Sequence, residues 1–160
     1  MNPLTKLQMD YNRGSADGWA AFADHRKKVT ELLGGESTSP SSRLCVLGAG
    51  NCNDLDLNTL LRSYREVHLV DLDAEALARG VARQGLADEP GVHRHGGVDL
   101  TGILDTLAGW SPHTAVPTAD VAAWAEEPVR RLGPALPAPF EVVASTCLLS
   151  QLIGAAVHTV

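Results

Sequence analysis

The sequence lacks an apolar run long enough to span a bilayer, and its amino terminus lacks the pattern of a signal peptide. It also has little positive charge, since 13 lysines and arginines against 19 aspartates and glutamates give a formal net charge of −6. This acidic balance argues against a general nucleic-acid-binding surface and against binding to an anionic membrane. We therefore expect no nucleic-acid partner, no membrane contact and a cytoplasmic location.

Cysteine is scarce as well. The three cysteines, Cys45, Cys52 and Cys147, are odd in number and form no Cys-x-x-Cys pair, which fits a reducing compartment and offers no metal framework. His93 and His95 fall on one face of a predicted strand and could be two metal ligands. No third ligand is evident, and an exposed pair on an edge strand is the simpler interpretation. The sequence therefore predicts no metal site.

The residues that are present suit one globular domain. Of the 160 residues, 44% are hydrophobic and 20% are charged, which is enough apolar material to bury a sizeable core. We expect a single domain over residues 1–160. Its residues 1–42 should form an amino-terminal helix and a linker, and residues 43–160 should form the main body.

The amino-terminal part has a polar beginning and a more regular continuation. Residues 1–13 are predicted to be irregular, and a helix is expected from about residue 15 to residue 33, because its apolar residues recur on one stripe. Arg26 falls on the same stripe. Its stem could pack while its guanidinium reaches water, or it could line a ligand site together with Tyr11 or His25.

The chain is organised around residues 43–56, RLCVLGAGNCNDLD. Residues 44–47 are a short apolar run, which is typical of a parallel strand buried on both faces. Residues 48–50, Gly-Ala-Gly, allow the backbone to bend sharply or to approach a ligand. A helix is then expected from about Asp54. A strand, a glycine turn and a helix in this order form the nucleotide-binding half of a doubly wound sheet.

An acidic residue follows a second predicted strand. Residues 67–70 are mostly apolar, and they are followed by Asp71, which lies 23 residues after Gly48 (71 − 48). About 20 residues are expected before the acid that binds the ribose hydroxyls of a nucleotide, because a carboxylate can accept hydrogen bonds from both hydroxyls. Alternatively, Asp71 caps the next helix, although Asp73 is better placed for that role.

The surroundings of the glycine turn bear on the kind of nucleotide. A dinucleotide fingerprint has a third glycine where this chain has Asn53. Asp54 and Asp56 are also expected in the first turn of the following helix, where they would oppose a pyrophosphate. The same carboxylates would tolerate a ligand that carries an ammonium and a sulfonium group.

Four stretches of the chain resemble the class I S-adenosylmethionine-dependent methyltransferases: VLGAGNCND at 46–54, HLVDLD at 68–73, GGVDL at 96–100 and EVVASTCLL at 141–149. The resemblance implies S-adenosylmethionine as cofactor and places Asp99 at the exocyclic amine of adenine. Asp99 could equally begin a turn or cap the next helix. The cofactor-binding residues that the resemblance implies are Gly48, Ala49, Gly50, Asn51, Asp71, Leu72, Asp99, Leu100, Ser145 and Thr146.

The resemblance also implies that the end of the fourth strand faces the transferred methyl. The Asn-Pro-Pro-Tyr motif of amine-modifying family members is absent there. Thr146 precedes Cys147, so the Pro-Cys motif of the cytosine-modifying members is absent too, and Cys147 is better read as a small apolar residue than as a nucleophile. We therefore assign no catalytic residue and expect a small-molecule methyl acceptor. The alternatives are an NAD(P)-dependent oxidoreductase and a non-catalytic cofactor-binding or scaffold module.

The expected architecture is an α/β, Rossmann-like, doubly wound and mostly parallel sheet of about four strands. The fourth strand, at about residues 140–146, should pair beside the first strand, across the point where the strand order reverses. Only 13 residues follow Cys147 (160 − 147), with a helical pattern at 152–157. We therefore expect an incomplete sheet with an open edge, through which the chain could form a homo-oligomer.

Overall fold

The structure is a computed structural model and describes residues 1–36, 39, 41–111, 113–137 and 139–146. Four strands and six helices lie in these ranges. The strands are β1 (Arg43–Leu47), β2 (Glu66–Asp71), β3 (Val92–Gly96) and β4 (Val142–Ser145). The helices are α1 (Pro3–Gly14), α2 (Ala23–Gly35), α3 (Leu57–Ser63), α4 (Ala74–Arg83), α5 (Leu104–Ala108) and α6 (Thr118–Ala135).

The four strands form one parallel sheet in the order β3-β2-β1-β4. The strand order reverses between β1 and β4, where Leu47 is in register with Ser145. The Rossmann-like α/β fold that the sequence predicted is therefore confirmed, and so is the position of the fourth strand beside the first. At the carboxyl ends of these strands lie the glycine turn, Asp71 and Thr146.

The main core lies on one face of the sheet. Alternate residues of a strand point to one face, and on β1 and β2 the residues that belong to the core are Leu44, Val46, Val67 and Leu69. Helices α2, α3 and α4 cover this face, with apolar side chains at helical spacing. Their core residues are Leu33, Leu57, Leu60, Leu77 and Val81. As predicted, Asp73 caps α4 by accepting the N–H of Ala76.

The amino-terminal part differs from its prediction. Residues 1–13 were expected to be irregular, but α1 occupies Pro3–Gly14. The Asn2 side chain accepts the N–H of Leu4 and caps the helix, and Pro3 takes the first helical position, where a missing N–H costs nothing. The helix expected from about residue 15 begins only at Ala23, because turns occupy the residues between α1 and α2.

The start of one more helix differs from the prediction. The helix after the glycine turn was expected from about Asp54, but α3 begins at Leu57, with Asp56 as its cap. Helix α6 begins at Thr118, and the residue before it, Pro117, offers no side-chain cap. α6 continues through Pro128.

Some predictions fall outside the described residues. They concern Cys147 and the helical pattern at 152–157. Among the residues that the structure does describe, none of the helices combines the length and the apolar character that crossing a membrane requires.

Candidate functional site

The glycine turn follows β1 at the carboxyl edge of the sheet. Gly48 and Gly50 both have left-handed backbone, with φ of 75° and 47°. This conformation strains any residue with a Cβ atom, so the two glycines are required for the shape of the turn. The backbone N–H groups of Gly48 and Ala49 donate to the carbonyl of Val70, at 2.8 and 3.2 Å, and fasten the turn to β2.

Asp71 lies directly beside this turn. Its Oδ2 accepts the N–H of Gly50 at 2.8 Å, and its Oδ1 accepts the N–H of Asp73 at 2.8 Å. Burial raises the pKa of Asp71, although the two N–H donors act in the opposite direction. The structure thus brings together two groups that the sequence predicted to share a site, the Gly48–Gly50 turn and the carboxylate 23 residues after its first glycine.

Helix α1 lies against the same turn, which the sequence did not predict. The Oδ1 of Asn12 is 3.0 Å from the position that a Cβ on Gly50 would take, and the Nδ2 of Asn12 is 3.4 Å from Oδ1 of Asp71. Asn12 is near the last residue of α1, and the C-terminal end of a helix carries a partial negative charge. The turn therefore faces a carboxylate from β2 and the negative end of a helix.

Two asparagines after the turn tie it to its neighbours. The Nδ2 of Asn51 donates to the Asn12 carbonyl at 2.5 Å, and the Nδ2 of Asn53 donates to the Ser15 carbonyl at 2.7 Å. On the other side, Arg83 of α4 donates to Oδ1 of Asn53 at 2.8 Å. Asn53 therefore joins the residues after α1 to α4. It stands where a dinucleotide fingerprint has its third glycine, and its amide has a structural task of its own.

Arg79 of α4 reaches the rim of the turn. Its Nη2 lies 3.3 Å from Oδ1 of Asn51 and 3.8 Å from a carboxylate oxygen of Asp73. The side chain is 36% exposed, so its positive charge is available to an incoming group. This contact could not be predicted from the sequence, because it depends on how α4 packs beside the loop.

Asp54 and Asp56 do not occupy the predicted positions. Asp56 is the cap of α3, and its carboxylate accepts an N–H of that helix, while Asp54 is buried before it. The N–H of Leu57 donates to the side chain of Gln84, which follows the far end of α4. The start of α3 therefore lies at the end of α4, whereas Asp71 lies beside the start of α4. The positions of Asp54 and Asp56 therefore say nothing about the charge of a ligand at the glycine turn.

Asp99 makes the contacts of a turn and a helix cap. Its Oδ1 accepts the N–H and the hydroxyl of Thr101, at 2.9 and 2.7 Å, and its Oδ2 accepts the N–H of Leu104 at 3.1 Å. Of the two possibilities that the sequence left open, these contacts describe the second. Leu100 is half-buried in the same turn. An adenine amine would have to compete with the chain's own donors for Asp99.

The remaining predicted residues lie at the same edge of the sheet. Leu72 is half-buried after Asp71, and Ser145 is exposed at the end of β4. The Oγ1 of Thr146 is buried and has no hydrogen-bond partner in the described part of the chain. A buried hydroxyl without a partner is costly, and Thr146 follows β4 directly beside the point where the strand order reverses. Ligands of doubly wound sheets bind at that point.

The guanidinium of Arg26 is hydrogen-bonded within the chain and does not simply reach water. It donates to the carbonyls of Trp19 and Asn53, both at 2.8 Å, and lies 3.5 Å from the centre of the Trp19 ring. Tyr11 is 51% exposed, and His25 is exposed on α2. Arg26 therefore holds the loop after the glycine turn against α2.

The two histidines of β3 are not an exposed pair. His93 and His95 are both partly buried, and both stack against His68 of β2, with ring centroids 4.4 and 5.3 Å away. The carboxylate of Glu66 lies beside them. The sequence prediction that no third ligand accompanies the pair is thus corrected, because the register of β2 and β3 supplies two further groups.

The structure thus brings some, but not all, of the predicted site residues together at the carboxyl edge of the sheet. The glycine turn and Asp71 are in contact there, and Thr146 lies at the same edge of the sheet, whereas Asp99 is engaged in its own turn. Comparisons of the chain with family models, with curated proteins and with solved structures found no match.

Proposed function

We propose that this chain binds S-adenosylmethionine at the carboxyl edge of its sheet and serves as a methyltransferase domain. The observation that carries the proposal is the contact between Asp71 and the glycine turn, 2.8 Å from Oδ2 to the N–H of Gly50. A carboxylate at the end of β2 beside a turn at the end of β1 is the arrangement that binds the ribose of a nucleotide in doubly wound sheets.

The charges near the turn favour a cationic ligand. Asp71 contributes a carboxylate, and the end of α1 at Asn12 contributes the negative pole of a helix dipole. S-adenosylmethionine carries a sulfonium and an ammonium group, which such surroundings attract. Methyl transfer to a small-molecule nucleophile would then depend on positioning and on exclusion of water more than on a dedicated base.

The carboxylate of Asp71 has some acceptor positions left for hydrogen bonds from a ligand. An ionised carboxylate offers about four acceptor positions, and two of those on Asp71 are taken by the N–H groups of Gly50 and Asp73. The weak contact from Asn12, at 3.4 Å, is the one that a ribose hydroxyl would replace. We therefore expect ligand binding to displace the Asn12 amide while it keeps the glycine turn in place.

The experiment is calorimetry of the purified protein with S-adenosylmethionine, with its demethylated product and with NADH. Asp71→Ala should weaken binding of S-adenosylmethionine about 10-fold to about 150-fold, because charge-assisted hydrogen bonds contribute about 1.5–3 kcal/mol each. Asp71→Asn keeps the shape of the side chain and serves if the alanine variant is unstable. The exposed Asp88→Asn is the matched control and should bind like the wild type. Unchanged affinity in both Asp71 variants would remove Asp71 from the site.

The pH dependence of binding gives a second test. Burial raises the pKa of Asp71 above the pKa of 3.8 of an ordinary aspartate. Its carboxylate should therefore take up a proton at a higher pH than an ordinary aspartate does. A protonated carboxyl is a weaker acceptor, so affinity for S-adenosylmethionine should fall as the pH is lowered toward this raised pKa. Asp71→Asn should flatten that part of the profile. A wild-type affinity that does not change on acidification would contradict the proposed role.

A second candidate is an NAD(P)-dependent oxidoreductase, which Arg79 favours. This guanidinium at the rim of the turn could pair with a phosphate. This candidate would be favoured if the protein bound NADH or NADPH more tightly than S-adenosylmethionine and if Arg79→Gln abolished that preference. Binding of S-adenosylmethionine without methyl transfer to any of a panel of small-molecule acceptors would instead favour a non-catalytic cofactor-binding module.

A further inference from the structure

A cluster of four ionisable side chains lies on the sheet face opposite the main core. Val67 and Leu69 of β2 point into that core, so Glu66 and His68 point to the other face. The register pairs His68 with His93 of β3, and the two imidazole rings are stacked, 4.4 Å apart and 18° from parallel. His95 completes what we call the histidine cluster, with its Nε2 3.0 Å from Nδ1 of His68.

Three members of the cluster offer ligand atoms close to one point. One atom each from Glu66, His68 and His93 lie within 4.8 Å of one another. Zn²⁺ binds imidazole nitrogen and carboxylate oxygen at about 2.0–2.2 Å, which separates tetrahedral ligands by about 3.3–3.6 Å. Side-chain rotations that move the ligand atoms by about 1 Å would therefore form a coordination site, with no change in the strands.

The burial of these groups suits a metal ion. His68 is 2% exposed, and its two ring nitrogens lie 3.0 Å from His95 and 3.2 Å from Glu66. The Nε2 of His93 is buried and has no hydrogen-bond partner in the described residues. A buried polar atom without a partner is destabilising, and a metal ion would satisfy it.

Two arginines compete with an ion for Glu66. The Nε of Arg43 lies 2.9 Å from Oε2, the oxygen that is also 3.2 Å from Nε2 of His68, and the Nη2 of Arg65 lies 2.9 Å from Oε1. The guanidinium of Arg43 is held by the carbonyls of Pro137 and Pro139, and so it can orient the carboxylate from outside, as outer partners of metal ligands do. The two positive charges reduce the affinity, but an ionised carboxylate has about four acceptor positions, so each oxygen keeps one for an ion.

We propose that Glu66, His68 and His93 bind a divalent transition-metal ion, with Zn²⁺ as the probe and with His95 orienting the His68 ring from outside. Two imidazoles and one carboxylate are a ligand set that zinc and iron use in proteins. The ion would join β2 to the edge strand β3. His68 precedes Asp71 by three residues, about 10 Å along the strand at ~3.3 Å per residue, so this site is separate from the proposed cofactor site.

The test is titration of the metal-free, untagged protein with Zn²⁺ by calorimetry, with thermal denaturation as a second measurement. We expect one ion per chain and a rise in Tm with Zn²⁺, because an ion that binds the folded state alone stabilises it. Co²⁺ in place of Zn²⁺ should give the visible absorption of a site with nitrogen and oxygen ligands.

Two variants remove ligands at positions that are not fully buried. His93→Ala and Glu66→Gln should each weaken Zn²⁺ binding by more than the about 10–100-fold that loss of an outer partner costs. Two matched controls should bind Zn²⁺ like the wild type. His25→Ala removes an exposed histidine far along the chain from the cluster, and Cys45→Ser changes the residue of β1 that is in register with His68. His95→Ala removes only an outer partner, so it should weaken Zn²⁺ binding by no more than about 10–100-fold.

The proposed site is supported if the wild type binds one Zn²⁺ per chain, if His93→Ala and Glu66→Gln lose this binding, and if both controls keep it. Zn²⁺ binding that survives His93→Ala, or that is lost equally in His25→Ala or Cys45→Ser, overturns it. The absence of saturable binding to the folded wild-type protein overturns it as well.

Discussion

Gly80 of α4 offers a sharp test of how the glycine turn is held, because a methyl group there would collide with backbone. A Cβ on Gly80 would lie 2.4 Å from the carbonyl oxygen of Asn51, 2.6 Å from its carbonyl carbon and 3.1 Å from the Cβ of Cys52. Cys52 itself has left-handed backbone, with φ of 52°. The loop after the turn cannot yield easily, and we infer that this close approach is the reason for glycine in the middle of α4.

Gly80→Ala should therefore lower the free energy of unfolding. Alanine has the better helix propensity, by about 0.8–1.0 kcal/mol. Overpacking in a rigid interior costs about 1–3 kcal/mol. The net expectation is a loss of up to about 2 kcal/mol, and each kcal/mol should lower Tm by about 2–4 °C in a chain of this size. Scanning calorimetry gives the Tm, and titration with S-adenosylmethionine reports whether the displaced loop also weakens binding.

The matched control is Gly35→Ala at the end of α2. A Cβ there would meet nothing within 4 Å, and the residue lacks the left-handed backbone of the turn glycines. Its Tm should stay unchanged or rise slightly, because alanine favours the helix. If Gly80→Ala raised Tm as well, α4 would not be held tightly against Asn51, and the packing of the turn described above would be wrong.

Three further predictions concern residues around the sheet. Asn53→Ala should lower the free energy of unfolding by about 1–3 kcal/mol, measured by urea denaturation, because it removes two hydrogen bonds of a buried amide, each worth about 0.5–1.5 kcal/mol; an unchanged value would contradict its joining role. Burial raises the pKa of Cys45 to about 11 and raises that of Cys52 as well, so brief alkylation at pH 8 followed by peptide mapping should find both unmodified; labelling of either in the native protein would contradict this. Val143 is 58% exposed on β4, one of the two edge strands of the described sheet, so sedimentation at low micromolar concentration should show self-association that Val143→Lys weakens; a monomeric wild type would refute this.

The parts of the fold that sequence could predict are those with a local signal. β1 and β2 are buried on both faces and therefore appear as continuous apolar runs, which located them to within a residue or two. The cap of α4 at Asp73 was equally readable, because an aspartate stands directly before the apolar repeat. Both predictions depend on residues that are neighbours in sequence.

The positions of two helices were predicted wrongly although the sequence contains residues that mark their starts. α1 is preceded by Asn2 and opens with Pro3, a cap followed by the residue best suited to the first helical position. The polar composition of residues 1–13 outweighed this signal in the prediction. α3 was placed too early because a helix was assumed to follow the glycine turn directly. Asp56, which is the cap, marks the actual start.

The histidine cluster could not have been predicted in the same way. His68 and His93 are 25 residues apart (93 − 68), and they meet because the register aligns these two residues on adjacent strands. A shift of the register by one residue would turn one of the rings to the other face. Sequence placed His93 and His95 together on one face, since period two is a local property, but not the partner that stacks against both.

The same distinction divides the candidate cofactor site. Its amino-terminal half, the turn at Gly48–Gly50 and Asp71, depends on a strand, a turn and one spacing, and the structure joins these groups with a 2.8 Å hydrogen bond. The rest of the site depends on loops. On the adenine side, Asp99 is occupied by its own turn. At the end of β4, by contrast, the Thr146 hydroxyl has no partner in the described residues. A nucleotide would therefore find the ribose side already arranged, and would have to displace hydrogen bonds within the chain on the adenine side. Because such displacement subtracts from affinity, we expect Asp71 to contribute more to binding than Asp99.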